Sequence, residues 1–433
     1  MQPLAPPAVD GHVTQVMGML VEGTAHGAAV GDLYHIVGRS RSLRAEVVAL
    51  RGSVGLRGSR ALLLPFGHLA GLEVGARLVR TGNGAQLKVG PQLLGRIVDA
   101  FGAPLDGGAV PQTSELWPLH HPPLNLLERR PINERMPLGV RALDAFVPLG
   151  MGQRMGIFAG PGVGKSTLLG MLARGTSADV VILALVGERG REVGHFVDEV
   201  LGKQGLQRAV VVAATSDRPA SERVRAAFAA TAMAEYFRAQ GKRVLLFVDS
   251  LTRLCMAQRE IGLAVGEPPT TKGYPPSSFS MLPQLLERVA PAAHGGAITG
   301  LYTVLVEGDD LTDPVADAAR ALLDGHIVLS RSLALRGQFP AIDVLESLSR
   351  LDGELHSREH LLAARLLRNQ LALVEDAREL IAVGAYRKGA DPALDLALQC
   401  TPNIQQFLRQ ERDAVAPTGE TLAVLADAQL VKA

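Results

Sequence analysis

The segment AGPGVGKST, Ala159–Thr167, has the residue types and spacing to hold a phosphate chain. Gly160, Gly162 and Gly164 allow backbone N–H groups to turn inward around phosphate oxygens. A helix starting there adds the positive end of its dipole. Lys165 can reach the β- and γ-phosphates, and the Ser166 hydroxyl can ligate Mg2+. Pro161, Val163 and Thr167 complete the nucleotide-binding stretch. The strict pattern has Gly five residues before Gly164, where Ala159 stands. The setting compensates, because the run RMGIFAG precedes the loop and the helical KSTLLGMLAR follows it. Strand, loop and helix in that order are the context a phosphate loop requires.

Two acids extend the constellation. RVLLFVDS, Arg243–Ser250, reads as a buried strand ending in Asp249, which is placed to hold Mg2+ directly or through water. VVILALVGERGRE puts Glu188 just past the end of another strand. Ligands of parallel sheets bind at the carboxyl ends of strands, so Glu188 can orient and polarise an attacking water. Arg189 beside it can contact phosphate or hold Glu188 in place. Glu188, Arg189, Arg191 and Glu192 can equally form a surface ion-pair group, and spacing alone leaves both readings open. Such a loop serves kinases, switches, helicases and rotary motors alike, so the rest of the chain has to choose.

The elements that must position these residues are legible as three blocks. Residues 12 to about 80 carry short Val- and Leu-rich runs, HVTQVMGMLV, DLYHIV, LRAEVVALR and RALLLPF, separated by Gly-containing turns. This spacing predicts a small barrel or sandwich. LLGRIVDAFGAPLDGG and a Pro-rich connector containing His120 and His121 follow. No Cys or carboxylate cluster accompanies that histidine pair, so it reads as part of a loop. From Met155 to about Arg350, strands such as DVVILALVG, AVVVAATS, AITGLYTVLVEG and GHIVLS alternate with amphipathic stretches. That alternation predicts a mostly parallel sheet covered on both faces. Beyond Arg350, Leu367, Leu371, Val374 and Ile381 mark one helix face, and TPNIQQFLRQ and GETLAVLADAQL read as further helices. The expected class is α/β: a β-barrel over 1–79, a P-loop domain over 80–352 and a helical domain over 353–433.

Composition narrows the field. At 433 residues two or three domains are expected. A net charge of +1 and 4% aromatics argue against a dedicated nucleic-acid binder. Two distant cysteines, Cys255 and Cys400, form no disulfide framework and fit a reducing cytosol. MQPLAPPAVDG lacks the pattern of a signal peptide, and no apolar run approaches the ~20 residues that span a bilayer. Work at a membrane is therefore expected to be peripheral.

AGPGVGKST, GERGRE, LLFVDSLTR, GYPPSSFSMLPQLLER, VEGDDLTDPVADAARALLDGHIVLSR and PAIDVLESLSR occur in this order. Together they resemble the type III protein-secretion ATPases, relatives of the flagellar export ATPase and of rotary ATP synthase catalytic subunits. GAYRKGADPALDLALQCTPNIQQFLRQ is similar to the secretion branch, and Thr167 leans toward the injectisome rather than the flagellar machine. The resemblance implies a RecA-like ATPase core, Mg2+ and ATP, and a ring in which a neighbour lends an arginine. It places that finger at Arg350 and an adenine-stacking aromatic at Phe339. Without it, Arg350 reads as a helix-side arginine and Phe339 as core. One chain carrying both Glu188 and Arg350 implies a homohexamer whose sites are all competent. The resemblance also implies a central stalk protein, a peripheral stator, an inner-membrane export gate and chaperone–effector complexes as partners, and a place at the cytoplasmic face of the inner membrane. Asp309, Asp310 and Asp313 form an acidic loop expected to face the stalk, with Asp313 also placed to cap the helix near Pro314. A hexameric RNA helicase, a rotary synthase subunit and a scaffold are the rival readings.

Overall fold

A computed structural model describes residues 10–39, 41–51, 60–306 and 312–426. Among these residues, six strands close a barrel in the order β1-β2-β5-β4-β3-β6. They are β1 (Gly11–Met17), β2 (Leu20–Ala25), β3 (Asp32–Val37), β4 (Ser42–Arg51), β5 (Arg60–Pro65) and β6 (Arg77–Asn83). Alternate residues of β3 are buried, as a one-sided strand requires. Val21, Tyr34, Ile36, Val47, Leu63 and Leu78 fill the interior. The run HVTQVMGMLV divides into β1 and β2, because Gly18 takes a left-handed φ of 56° and turns the chain. β6 is the closing strand, pairing with both β1 and β3. The barrel limit expected at residue 79 falls inside it.

A two-stranded ribbon, β7 (Gln86–Val89) with β9 (Glu115–Pro118), leads into the centre. The remaining strands are β8 (Arg96–Val98), β10 (Arg154–Ala159), β11 (Val180–Val186), β12 (Ala209–Ala214), β13 (Arg243–Asp249), β14 (Ala297–Leu305), β15 (Gly325–Leu329) and β16 (Ile342–Ser349). They form one sheet in the order β16-β15-β10-β14-β13-β11-β12-β8. Every neighbouring pair is parallel except β15 with β16. β11 is buried along its whole length, which is why it reads as a continuous apolar run.

The sheet separates two apolar layers. Val180, Ile182, Ala184 and Val186 face one, with the long helix Ala220–Ala239. Val181, Leu183 and Leu185 face the other. This second layer also holds Leu168, Leu169 and Leu172 of the helix Lys165–Gly175, and Ala364, Leu367, Ile404, Phe407 and Leu425 of the C-terminal helices. Those helices are Arg358–Asp376, Arg378–Ala382, Pro392–Leu408 and Thr418–Ala426. The face expected to run unbroken from Leu367 to Ile381 is interrupted at Ala377, which ends one helix and caps the next.

In the connector, the His120 ring packs on Phe228 and the His121 ring stacks on Trp117. Asp313 caps the helix Pro314–Leu322, its carboxylate accepting the Val315 N–H at 2.9 Å. Asp309 and Asp310 lie outside the described residues.

Candidate active site

The phosphate loop joins β10 to the helix Lys165–Gly175, as the residue order predicts. Gly162 and Gly164 have φ of 78° and 90°, a region open to glycine. Val163 is buried beneath the loop, while Pro161, Ser166 and Thr167 are exposed on its outer side. Lys165 projects between two carboxylates. Its Nζ lies 2.5 Å from Asp249 Oδ1 and 3.3 Å from Glu188 Oε1. Asp249 ends β13, and Glu188 follows β11 by two residues. β11 and β13 are adjacent parallel strands, so their carboxyl ends deliver both acids to one place.

Two side chains that the motif reading missed complete the cluster. Thr303 of β14 donates its hydroxyl to Asp249 Oδ1 at 2.5 Å. Arg253 donates to the Gly187 carbonyl and sets Nη2 3.3 Å from Glu188 Oε2. Arg253 lies four residues after Asp249, on the first turn of the helix Leu251–Ala264. Its place on the first helical turn after a strand that ends in a site acid is the signal that could have found it. Thr303 has no such local signal, because only strand pairing brings it there.

Glu188 is buried, and burial pushes its carboxyl above the ordinary carboxylate range, with the nearby Lys165 opposing and Asp249 reinforcing the shift. Glu192 is held below its usual value, first by its hydrogen bond with Glu188. The two readings of GERGRE therefore divide. Glu188 turns inward to the lysine. Arg189 stays outside, its guanidinium 3.6 Å from Glu192, and is not brought into the cluster.

Phe339 is 48% exposed rather than part of the core. A Cβ added at Gly164 would stand 3.8 Å from its ring. It borders a cavity of about 790 Å³ that Thr167, Leu168, Met171, Gln410 and Pro417 also line. Such a volume suits a nucleotide base and sugar. The strap after Leu408 is tied to this cavity. Gln410 donates its backbone N–H to the Phe339 carbonyl at 3.0 Å, and its side chain accepts from Arg141 N at 2.9 Å and donates to the Gly139 carbonyl at 2.7 Å.

Arg350 stands elsewhere. It follows β16 directly rather than lying on a helix. Ser349 pairs with Gly325 at the start of β15, whereas the phosphate loop leaves β10 level with Leu329, at the end of β15. From Asp324, which is level with Arg350, to Leu329 is five steps of ~3.3 Å, a separation of about 17 Å along the strands. Arg350 donates its backbone N–H to Asp324 and its Nη2 to the Arg320 carbonyl, each at 3.0 Å. It is exposed and out of reach of its own Lys165.

Comparisons with known proteins assign the chain to a family. Residues 139–349 match the ATP synthase alpha/beta family, nucleotide-binding domain. Residues 356–427 match the C-terminal domain of the T3SS EscN ATPase. The flagellum-specific ATP synthase of Bacillus subtilis is 48% identical over 418 residues, covering 96% of this chain and 94% of that protein. The chain belongs to the flagellar and type III secretion ATPase family. The type 3 secretion system ATPase of Sinorhizobium fredii is 49% identical over 416 residues, 96% of this chain and 91% of that one. The assembled ATPase EscN of the enteropathogenic E. coli type III secretion system superposes with a TM-score of 0.90 at 43% identity, covering 98% of this chain and 100% of that chain. EscN in complex with its central stalk EscO gives 0.88 at 42% identity, over the same shares of both chains.

As a member of this export ATPase family, the chain hydrolyses ATP. The donors at the loop fit a hard divalent cation. The Ser166 hydroxyl and the Asp249 carboxylate are oxygen ligands, which Mg2+ takes together with phosphate oxygens and water. No helix among the described residues is long and apolar enough to cross a membrane.

Proposed function

We propose that this export ATPase works as a homohexameric motor for type III protein secretion, with each site completed by Arg350 of the adjacent copy. The observation that supports this reading is the separation of Arg350 from its own phosphate loop by the length of the sheet. A head-to-tail ring brings the two edges together. Within a site, the phosphate-loop amides of Gly160, Gly162 and Gly164 cradle the phosphate chain, and Lys165 neutralises the β- and γ-phosphates. Phe339 lies on the adenine. Glu188, ionised, orients the water that attacks the γ-phosphate in line, and Arg253 and Lys165 hold that carboxylate in place. Arg350 meets the charge that develops on the transferred group, a contribution of about 10³–10⁵ in rate. Mg2+ held by Ser166 and Asp249 would supply further charge neutralisation. Arg189 is assigned a supporting place at the mouth of the site, through Glu192.

Turnover around the ring releases chaperones from export substrates and unfolds them. A stalk protein like the one bound to EscN occupies the centre, a peripheral stator links the ring to an export gate in the inner membrane, and no nucleic acid takes part. The ring stands on the cytoplasmic side of that membrane. A flagellar rather than injectisome role is the second reading, since flagellum-specific and type 3 secretion relatives are equally similar to this chain, at 48% and 49% identity.

Mixing separates the trans arginine from a self-contained site. Lys165→Ala and Arg350→Ala chains, each inactive alone, regain turnover when combined, because one interface in a mixed ring carries both intact residues. Mixed assemblies without turnover would refute the proposal. Deletion in the source bacterium, scored for motility and for secreted proteins, assigns the machine.

A further inference from the structure

The connector that enters the central sheet makes a single turn of 3-10 helix at Leu126–Glu128. Its two leucines are almost bare, Leu126 at 82% and Leu127 at 91% exposure. One exposed leucine is ordinary. Two in succession, preceded by the exposed Pro122 and Pro123, form an apolar ridge. The turn that carries it is fixed. The Asn125 N–H donates to the Glu128 carboxylate at 2.9 Å, and the Glu128 carbonyl accepts the Ala293 N–H at 2.7 Å. Arg129 reaches back to the Leu124 carbonyl at 3.0 Å and across to Glu287 Oε2 at 3.3 Å. The ridge is therefore held out rigidly rather than left loose. Charged residues follow it in the chain, Glu128, Arg129 and Arg130, the last 3.8 Å from Glu134. Apolar surface bordered by charge is common at protein interfaces.

Its position identifies the occupant. Glu287, which anchors Arg129, also pairs with Arg154 at the start of β10. Arg154 pairs with Asp324 at 3.1 Å, and Asp324 accepts the Arg350 backbone N–H. The ridge and Arg350 thus stand on one edge of the sheet, joined by three ion pairs and a final backbone hydrogen bond. The opposite edge, where the phosphate loop emerges, presents its own bare leucine, Leu335, at 83% exposure.

We infer that Leu126 and Leu127 pack against a second copy of this chain, on the same face through which Arg350 reaches that copy's nucleotide. The inference rests on the ring proposed above and adds to it an apolar contact that positions the arginine. The ridge sets how tightly neighbouring copies associate, while Arg350 acts on the reaction.

Assembly and chemistry can be tested separately. The full chain with Leu126→Asp and Leu127→Asp is compared with wild type by sedimentation velocity over a concentration series, in the presence of Mg2+ and a non-hydrolysable ATP analogue. The expected result is a rise of about tenfold or more in the midpoint concentration for assembly, with an unchanged monomer melting curve. Activity per assembled ring should return to the wild-type value once the concentration is high enough. If the aspartates disturb folding, the Leu126→Ser, Leu127→Ser pair gives the same comparison with no added charge. A variant that assembles at the wild-type concentration overturns the inference and shows that the ridge serves something else. Complementation between Lys165→Ala and Arg350→Ala chains, run with the ridge intact, reports on the ring itself. Restored turnover with an unshifted midpoint removes the ridge and keeps the ring. Absence of turnover in mixed assemblies removes both.

Discussion

The barrel and the C-terminal helices are both appended to the central sheet, and they meet it in different ways. The barrel closes its core on itself, around Val21, Ile36, Val47 and Leu63. It touches the centre through a small cluster in which Leu20 and Leu64 meet Ala220, Ala257 and Ile261. Polar ties add to this, such as the Ser221 hydroxyl on the Pro65 carbonyl at 2.8 Å. Among the described residues, the C-terminal helices share their core with the central sheet rather than forming one apart. Leu367, Ile404, Phe407 and Leu425 complete the layer that backs the phosphate-loop helix, and the strap around Gln410 holds the Phe339 backbone. A closed core can shift or loosen as a unit while its neighbour stays folded. A shared core cannot, because displacing one side opens a void on the other. The barrel is therefore mechanically separable from nucleotide chemistry, and the C-terminal helices are not.

The largest expected effect sets the scale for a lesion in the site itself. Glu188→Gln should lower turnover by about 10²–10⁴-fold with nucleotide binding retained, read by phosphate release alongside equilibrium dialysis. Phe407→Ala tests the shared core. It should cost about 3–5 kcal/mol in chemical denaturation and weaken nucleotide binding, since the Lys165–Gly175 helix loses its backing. Leu63→Ala is the matched lesion in the barrel, expected to cost about 2–5 kcal/mol in the transition that reports the barrel while leaving nucleotide affinity unchanged. Equal loss of affinity in the two variants would end the distinction between the regions.

Gln410→Ala sharpens the comparison at the strap. Leaving the Arg141 N–H without its acceptor, and the Gly139 carbonyl with the Ala416 N–H alone, should cost about 1–3 kcal/mol and raise KM for ATP more than it lowers kcat. The smallest effect concerns pH. Burial raises the Glu188 pKa, so any stability this group contributes is present while it is protonated and is lost as pH rises through the raised value. Glu188→Gln should thus raise the melting temperature of the nucleotide-free protein near neutral pH, with the gain vanishing in acid. The acid limb of kcat/KM in the wild type should lie above the ordinary glutamate value of 4.5. A melting temperature lowered by Glu188→Gln near neutral pH would show that the Lys165 and Arg253 contacts outweigh burial.

The parts of the fold that were legible in the residue order share a physical cause. β10 to β15 lie inside the sheet, and strands buried on both faces must be apolar throughout, so their runs stand out. β6, β8 and β16 escaped because they are short, or border solvent and carry polar residues. IDVLESLS in β16 alternates irregularly between buried and exposed. Missing β16 is also what left Arg350 on a notional helix. The chemistry followed a similar rule. Asp249 and Glu188 sit at strand ends and Lys165 at the start of the helix after the phosphate loop, where local order predicts convergence, and they meet within hydrogen-bonding distance. Thr303 reaches Asp249 only through the pairing of β13 with β14, which no local pattern announces. Arg189 looked equivalent to its neighbour Glu188, but the start of the helix Gly190–His195 sends the two side chains in different directions.

One sheet carries the phosphate loop at one end and Arg350 at the other, and its inner strands are buried on both faces. It is a stiff beam. When nucleotide seats or leaves and the loop end tilts, the far end tilts with it. In the proposed ring of such beams, six pockets would make one mechanical circuit. No pocket could change its state without moving the arginine it offers to the next, so a preferred order of firing would be built into the part itself.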